Sequence, residues 1–199
     1  MINLIDIEKT IPFLKFENLY KRALELKQNN IEAICISSFN KKTNEVSSRF
    51  VNLKYINKNE FIFFTNYESK KADDFLTHNQ VSGLFFWDVL NVQIRIKFNI
   101  KQTEKKFSDD HFKKRSNEKN ALAISSMQSK KIASYENVLQ KYKTSLSKIS
   151  NKTQRPLYWG GYSLKPYYFE FWSGNESRIN KREVFELNGT QWSSYFLEP

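Results

Sequence analysis

The sequence has only one cysteine and two histidines among its 199 residues. The lone cysteine, Cys35, excludes an internal disulfide, and its apolar surroundings (IEAICIS) predict a buried small side chain rather than a catalytic thiol. His78 and His111 are too few for the usual zinc sites, so no metal is expected. The short signatures of phosphate-binding loops, dinucleotide-binding turns, zinc proteases, thiol redox centres and serine hydrolases are missing as well. Any chemistry should therefore come from dispersed residues or from a cofactor.

Long apolar runs are also absent. No stretch approaches the ~18 apolar residues that cross a bilayer, and the start MINLIDIEKTIPF lacks the basic-then-apolar layout of a signal peptide. We therefore expect a cytoplasmic protein without a membrane partner. The length fits a single domain over residues 1–199, and a content of 40% hydrophobic and 16% aromatic residues supports a packed core.

The charge is strongly of one sign. The formal net charge is +11, which favours an anionic partner: nucleic acid, a membrane surface or phosphorylated small molecules. The lysines are scattered and are not gathered in one tract, which weakens the nucleic-acid interpretation. Charge alone leaves the class of partner open.

The spacing of apolar residues predicts strands surrounded by helices. Helical spacing covers 12–28, the stretch SKKADDFLTHN and the charged segment 104–148, where two or three helices are expected. Residues 92–101 alternate strictly between apolar and polar side chains, so one face of this strand should pack in the core. Further strands are predicted at 31–39, 46–56, 60–65, 81–87, 166–174, 182–187 and 190–197, with a tight turn at Asn188 and Gly189. This order predicts a mainly antiparallel α+β protein, a small β-barrel with peripheral helices.

Six segments carry a resemblance to a known family. They are SSRFVNLK (47–54), FFTNYESKKA (63–72), LFFWDVLNVQIRI (84–96), SSMQSK (125–130), YWGG (158–161) and EFWSGNESRINKR (170–182). In order and spacing they resemble the pyridoxamine 5'-phosphate oxidase family, over about residues 12–199. The resemblance implies an FMN-binding split β-barrel and a homodimer with FMN at the subunit interface. It also implies oxidation of pyridoxamine or pyridoxine 5'-phosphate to pyridoxal 5'-phosphate, with O2 as acceptor and H2O2 released.

The resemblance also implies which residues contact the flavin. Its phosphate is a dianion that needs several charge-assisted donors, a role that fits Arg49, Lys70 and Lys71. Lys70 stands where the family usually has arginine, which keeps the charge and loses the planar fork. Taken singly, these residues would be interpreted as solvated surface charges, and only their joint placement in the motifs reverses that interpretation. The implied cofactor-binding residues are Arg49, Lys54, Phe64, Thr65, Lys70, Lys71, Gln93, Gln128, Ser129, Trp172 and Arg182.

The substrate positions follow the family less closely. The resemblance assigns the substrate phosphate to Lys54, His111, Arg115 and Lys119, and the reacting carbon to the catalytic residues Arg178 and Asn180. His111 and Lys119 replace a tyrosine and a serine of the family, and both can donate hydrogen bonds. Asn180 replaces a histidine and cannot act as a general acid or base.

These replacements keep other functions open. The first alternative is a diverged FMN-dependent oxidoreductase of the same fold that acts on a phenazine-type or other heterocycle, which the changes at His111 and Asn180 favour. The second is a non-catalytic protein that binds flavin or pyridoxal phosphate. A basic nucleic-acid-binding protein is the third, and it predicts salt-sensitive binding without a flavin spectrum.

Overall fold

The computed structural model of the protein describes residues 1–150 and 152–199. Its strands are β1 (Asn3–Ile5), β2 (Ala33–Asn40), β3 (Glu45–Asn52), β4 (Tyr55–Asn57), β5 (Glu60–Asn66), β6 (Gln80–Trp87), β7 (Val92–Gln102), β8 (Trp159–Ser173), β9 (Lys181–Asn188) and β10 (Gln191–Leu197). Its helices are α1 (Ile11–Glu25), α2 (Lys70–Thr77), α3 (Lys105–Lys114), α4 (Asn117–Ser125) and α5 (Tyr135–Lys148). None of the helices in these ranges combines the length and the apolar character needed to cross a membrane.

The strands form one mixed sheet in the order β1-β4-β5-β8-β7-β6-β2-β3, and β9 and β10 extend it beside β8. Within the described ranges the strand pairings are antiparallel, except for β1 with β4, which is parallel. The long strand β8 pairs with β5 through its first half, with β9 through its second half and with β7 along most of its length. The mainly antiparallel α+β class predicted from the sequence is confirmed.

Alternation of apolar residues builds the core. On β7 the side chains of Val92, Ile94, Ile96, Phe98 and Ile100 are buried, while the residues between them are more exposed, as the period of two predicts. Helix α1 covers the same core with a stripe of buried residues (Pro12, Phe13, Phe16, Tyr20 and Ala23). Each fully buried large apolar side chain of this kind stabilises the fold by about 1.5–3 kcal/mol.

Some element boundaries differ from the prediction. The segment 46–56 is two strands, β3 and β4, because its halves pair with different neighbours, β2 and β5. Strand β8 begins at Trp159, well before the predicted start at 166. Its Gly160 and Gly161 do not mark a loop; they let Tyr67 and Thr103 pack against the strand where a Cβ atom would collide.

The last two strands form the predicted hairpin, but the turn lies one residue later. Asn188 still pairs with Gln191, so the loop consists of Gly189 and Thr190. Gly189 has φ +64°, a left-handed conformation that glycine adopts without strain.

The prediction that Cys35 is buried was wrong in degree, because its side chain is only half-buried. It lies on the face of β2 opposite the buried Ile34 and Ile36, in register with Leu84 on β6 and Phe50 on β3. We call this side of the sheet the outer sheet face and define it by Phe50, Cys35, Leu84 and Phe86. Two of its aromatic rings are strongly exposed, Phe50 by 72% and Phe86 by 58%.

Candidate active site

A buried lysine lies where β5 leads into α2. Lys71 is 9% exposed, and its Nζ donates hydrogen bonds to Thr65 Oγ1 and Ser69 Oγ, both at 3.2 Å. Thr65 Oγ1 donates in turn to Gln128 Oε1 at 2.9 Å. The fold thus brings Gln128 together with two predicted cofactor residues, Thr65 and Lys71, that are distant from it in sequence.

Arg49 approaches this lysine from β3. Its Nη1 donates to Ser38 Oγ at 2.6 Å, and its Nη2 lies 3.3 Å from Asp74 Oδ2. Asp74 is 1% exposed and also accepts a hydrogen bond from Ser38 Oγ at 2.7 Å. The buried carboxylate therefore fixes the guanidinium beside Lys71. We call Arg49, Thr65, Lys71 and Gln128 the phosphate cluster.

The electrostatics of the phosphate cluster fit an anionic ligand. Burial, followed by the charge of Arg49, lowers the pKa of Lys71 to about 8, against the opposing effect of Asp74. The ammonium contacts two hydroxyl groups, so a phosphate dianion would supply the charge that this environment lacks.

The remaining predicted phosphate ligands lie at the surface. Lys70 is 65% exposed and lies 3.7 Å from Glu45. Ser129 is exposed and has φ +71°, a left-handed conformation in the turn after Gln128. The structure therefore separates the two lysines of the motif: Lys71 is inside and Lys70 is outside.

The four predicted substrate-phosphate residues gather around stacked aromatic rings. His111 on α3 lies against Phe64 with 3.7 Å between ring centres, and the guanidinium of Arg115 lies 4.3 Å from the centre of the Trp159 ring. The pKa of His111 is lowered to about 4, first by burial and then by the charges of four nearby cations. They are Arg115, Lys54, Lys114 and Lys119. All four predicted substrate-phosphate residues are thus neighbours.

A cavity of about 180 Å³ joins this group to the phosphate cluster, since Arg115, Lys119, Thr65 and Gln128 all line it. Arg115 Nη1 is buried and has no hydrogen-bond partner among the described residues. Burial also lowers the pKa of Arg115 to about 10. An unpartnered buried guanidinium N–H is costly, and an anionic ligand in the cavity would satisfy it.

Three further predicted cofactor residues form a row on neighbouring strands. Gln93 on β7 is in register with Trp172 on β8, which is in register with Arg182 on β9. Arg182 Nε donates to Glu170 Oε1 at 2.9 Å, and this buried carboxylate also accepts from Arg95 at 2.8 Å. Glu170, which the sequence did not single out, therefore fixes the orientation of Arg182.

The predicted catalytic residues lie in the loop between β8 and β9. Arg178 is exposed with φ +62°, and its backbone N–H donates to the Asn175 carbonyl at 3.0 Å. Asn180 Oδ1 accepts a hydrogen bond from the Asn175 backbone N–H at 3.0 Å. Asn180 therefore closes its own loop, a role that the sequence pattern did not indicate.

The two halves of the predicted site lie at opposite ends of β8 within one chain. Thr65 in the phosphate cluster pairs with Gly160 at the start of β8, whereas Trp172 lies twelve residues further along the same strand. At ~3.3 Å per residue the separation along the strand is about 40 Å.

The fold is that of known split-barrel proteins. PhzG from Burkholderia lata, solved in complex with tetrahydrophenazine-1-carboxylic acid, superposes with a TM-score of 0.89 over 98% of this chain and 100% of that chain, at 22% identity. A pyridoxamine 5'-phosphate oxidase-related FMN-binding protein from Nostoc punctiforme superposes with a TM-score of 0.78 over 96% and 99%, at 11% identity. The expected split-barrel fold is confirmed.

Sequence comparison identifies the family. Residues 159–199 match the family model described as the pyridoxine 5'-phosphate oxidase C-terminal dimerisation region. The pyridoxine/pyridoxamine 5'-phosphate oxidase of Cytophaga hutchinsonii is 36% identical over 94% of this chain and 88% of its own length. A homologue of the same name from Hydrogenovibrio crunogenus is 33% identical over 96% and 89%. The chain belongs to the pyridoxine/pyridoxamine 5'-phosphate oxidase family, and as a member it is an oxidoreductase.

Proposed function

We propose that this protein is an FMN-dependent oxidase that converts pyridoxamine or pyridoxine 5'-phosphate to pyridoxal 5'-phosphate. The cofactor is FMN. When bound, FMN would supply the hydride acceptor for oxidation of the substrate carbon, with O2 as the final acceptor and H2O2 as its product. The observation that carries the proposal is the contact between the cavity at Arg115 and the phosphate cluster, because Thr65, which lines the cavity, also accepts a hydrogen bond from Lys71.

The residues divide the binding work between the two phosphates. Lys71 and Arg49 bind the cofactor phosphate, and the hydroxyl of Thr65 and the amide of Gln128 orient it. Arg115, with Lys54, His111 and Lys119, binds the substrate phosphate. Binding the substrate through its phosphate, which is distant from the reacting carbon, holds that carbon in position without requiring binding contacts at the carbon itself.

We further propose a homodimer in which each flavin lies between two copies. In this dimer, the phosphate cluster of one copy would be completed by Gln93, Trp172 and Arg182 of the other copy. The arrangement explains why the two groups lie about 40 Å apart along β8 within one copy. Two observations support the arrangement. Trp172 and Arg182 lie within the segment that matches the dimerisation region, and the outer sheet face exposes Phe50 and Phe86. An interface of ~2,000 Å² or more is expected.

The first test is the visible spectrum and the turnover of the purified protein. We expect a yellow protein with about one FMN per chain, and H2O2 release with pyridoxine 5'-phosphate or pyridoxamine 5'-phosphate. Pyridoxine without the phosphate is the matched control and should be turned over far more slowly, because Arg115 then has no anion to bind. Absence of flavin, or equal turnover of the unphosphorylated control, would contradict the proposal.

A second candidate function is oxidation of another heterocycle, such as a phenazine precursor, by the same FMN site. Position 180 favours it, because Asn180 cannot titrate and is engaged within its own loop. We therefore expect slow oxidation of pyridoxine 5'-phosphate by the wild type.

Replacing Asn180 with histidine should raise the turnover of pyridoxine 5'-phosphate by ~10²-fold, because it supplies a proton-handling group next to Arg178. The dissociation constant should change less, since the phosphate anchors are untouched. The Asn180→Ala variant is the control, because it removes the loop hydrogen bond without adding an imidazole. Equal turnover of wild type and Asn180→His would show that position 180 does not limit the reaction.

A further inference from the structure

Tyr55 and His111 form a hydrogen-bonded pair beside the proposed substrate-phosphate site. Tyr55 Oη lies 2.9 Å from His111 Nδ1. The imidazole lies nearly parallel to Phe64, with 13° between the ring planes, and Tyr55 meets it edge-on at 83°. Stacking therefore fixes the plane of the imidazole, and the hydroxyl of Tyr55 fixes its rotation within that plane.

The protonation of the pair follows from its surroundings. With its pKa lowered to about 4, His111 is neutral at physiological pH and carries one proton, on Nδ1 or on Nε2. Burial raises the pKa of Tyr55, so the phenol keeps its proton. Within the described ranges the hydroxyl of Tyr55 has no hydrogen-bond partner other than His111. Donation from the phenol to Nδ1 uses the hydroxyl proton within the pair and places the ring proton on Nε2.

We propose that Tyr55 is a positioning residue that holds His111 as the Nε2–H tautomer, so that a neutral N–H donor helps to bind the substrate phosphate. This inference rests on the proposed function. A neutral donor adds a hydrogen bond to the phosphate without adding charge to the group formed by Arg115, Lys54 and Lys119. Tyr55 itself does not need to touch the substrate, because it acts through the imidazole.

The test is the Tyr55→Phe variant in its FMN-loaded form. The variant keeps the ring that packs against Phe64 and His111 and loses only the hydroxyl. The dissociation constant of pyridoxal 5'-phosphate should rise about five- to tenfold, the loss of roughly one hydrogen bond. The binding of unphosphorylated pyridoxal and the kcat for pyridoxine 5'-phosphate should change by less than about twofold. Nitrogen-15 spectra of the His111 ring should change from the Nε2–H tautomer to a mixture.

A conservative variant at position 111 should make the binding of the phosphate independent of Tyr55. Glutamine at position 111 carries an amide N–H that does not depend on a tautomer. In the His111→Gln background, Tyr55→Phe should therefore cost nothing further, which a double-mutant cycle measures.

Each other outcome has a definite meaning. An unchanged tautomer and affinity in Tyr55→Phe overturns the positioning role and leaves the proposed function intact. An equal loss of affinity for unphosphorylated pyridoxal, or a further loss in the His111→Gln background, also overturns it, because either result indicates a general structural effect. A wild-type protein that binds neither FMN nor pyridoxal 5'-phosphate overturns the proposed function and this inference with it.

Discussion

Replacing Lys71 with methionine is expected to weaken FMN binding by about 10- to 100-fold and to leave riboflavin binding within about twofold. The ammonium of Lys71 is buried beside Arg49 and is the charge best placed to bind the cofactor phosphate, which riboflavin lacks. Methionine fills a similar volume and removes a buried charge, so the fold should not be weakened. Titration of the apo-protein with each flavin, followed by quenching of flavin fluorescence, measures both affinities.

The same ammonium should make FMN affinity depend on pH. Since the pKa of Lys71 is about 8 in the free protein and the bound phosphate favours the charged form, FMN affinity should be full below about pH 8 and fall above it. The unfolded chain holds this proton more tightly, with a pKa near 10.5. The stability of the apo-protein should therefore rise between about pH 8 and 10.5 through this group. Riboflavin affinity should lack the pH dependence.

Lys70→Met is the matched control, because it removes the same charge one position earlier at the surface. Its effect on FMN affinity should stay below about threefold, as expected for an exposed cation. If Lys70→Met costs as much as Lys71→Met, or if Lys71→Met weakens riboflavin equally, Lys71 does not bind the phosphate.

Strand and helix patterns were the most predictable part of the fold. The strict alternation over 92–101 predicted which face of β7 is buried, because a strand has a fixed period of two. The start of β8 was missed because Gly160 and Gly161 are typical of loops, and only the packing of Tyr67 and Thr103 explains them. Cys35 was expected to be buried because its neighbours are apolar, although alternation places it on the outer sheet face.

The family motifs predicted which residues gather, and the geometry supplied their partners. Thr65, Lys71 and Gln128 meet as the motifs implied. The arginines of the two groups are oriented by Asp74 and Glu170. These two residues were not predicted, because the sequence does not distinguish a buried, ion-paired carboxylate from an exposed one. The distance along β8 between the two groups also depends on strand pairing, which sequence spacing does not report.

The second prediction concerns mixed dimers, because they distinguish a binding site shared between two copies from a binding site formed within one copy. In a dimer of one Lys71→Met chain and one Arg182→Met chain, a shared arrangement puts both substitutions in one site and leaves the other site intact. We therefore expect about half of the FMN sites to bind with wild-type affinity, although each variant alone has none. Lys71 and Arg182 lie in groups about 40 Å apart along β8, so neither substitution should disturb the other group directly.

The reciprocal dimer, one wild-type chain with one chain carrying both substitutions, makes the comparison decisive. A shared site predicts one substitution in each site and no site of wild-type affinity. FMN titration of the two mixed dimers, each purified through two different affinity tags, is therefore the most direct measurement. For a site shared between copies, we expect tight binding at half of the sites in the first dimer and at none in the second. Tight binding at half of the sites in the second dimer and none in the first would contradict a shared site.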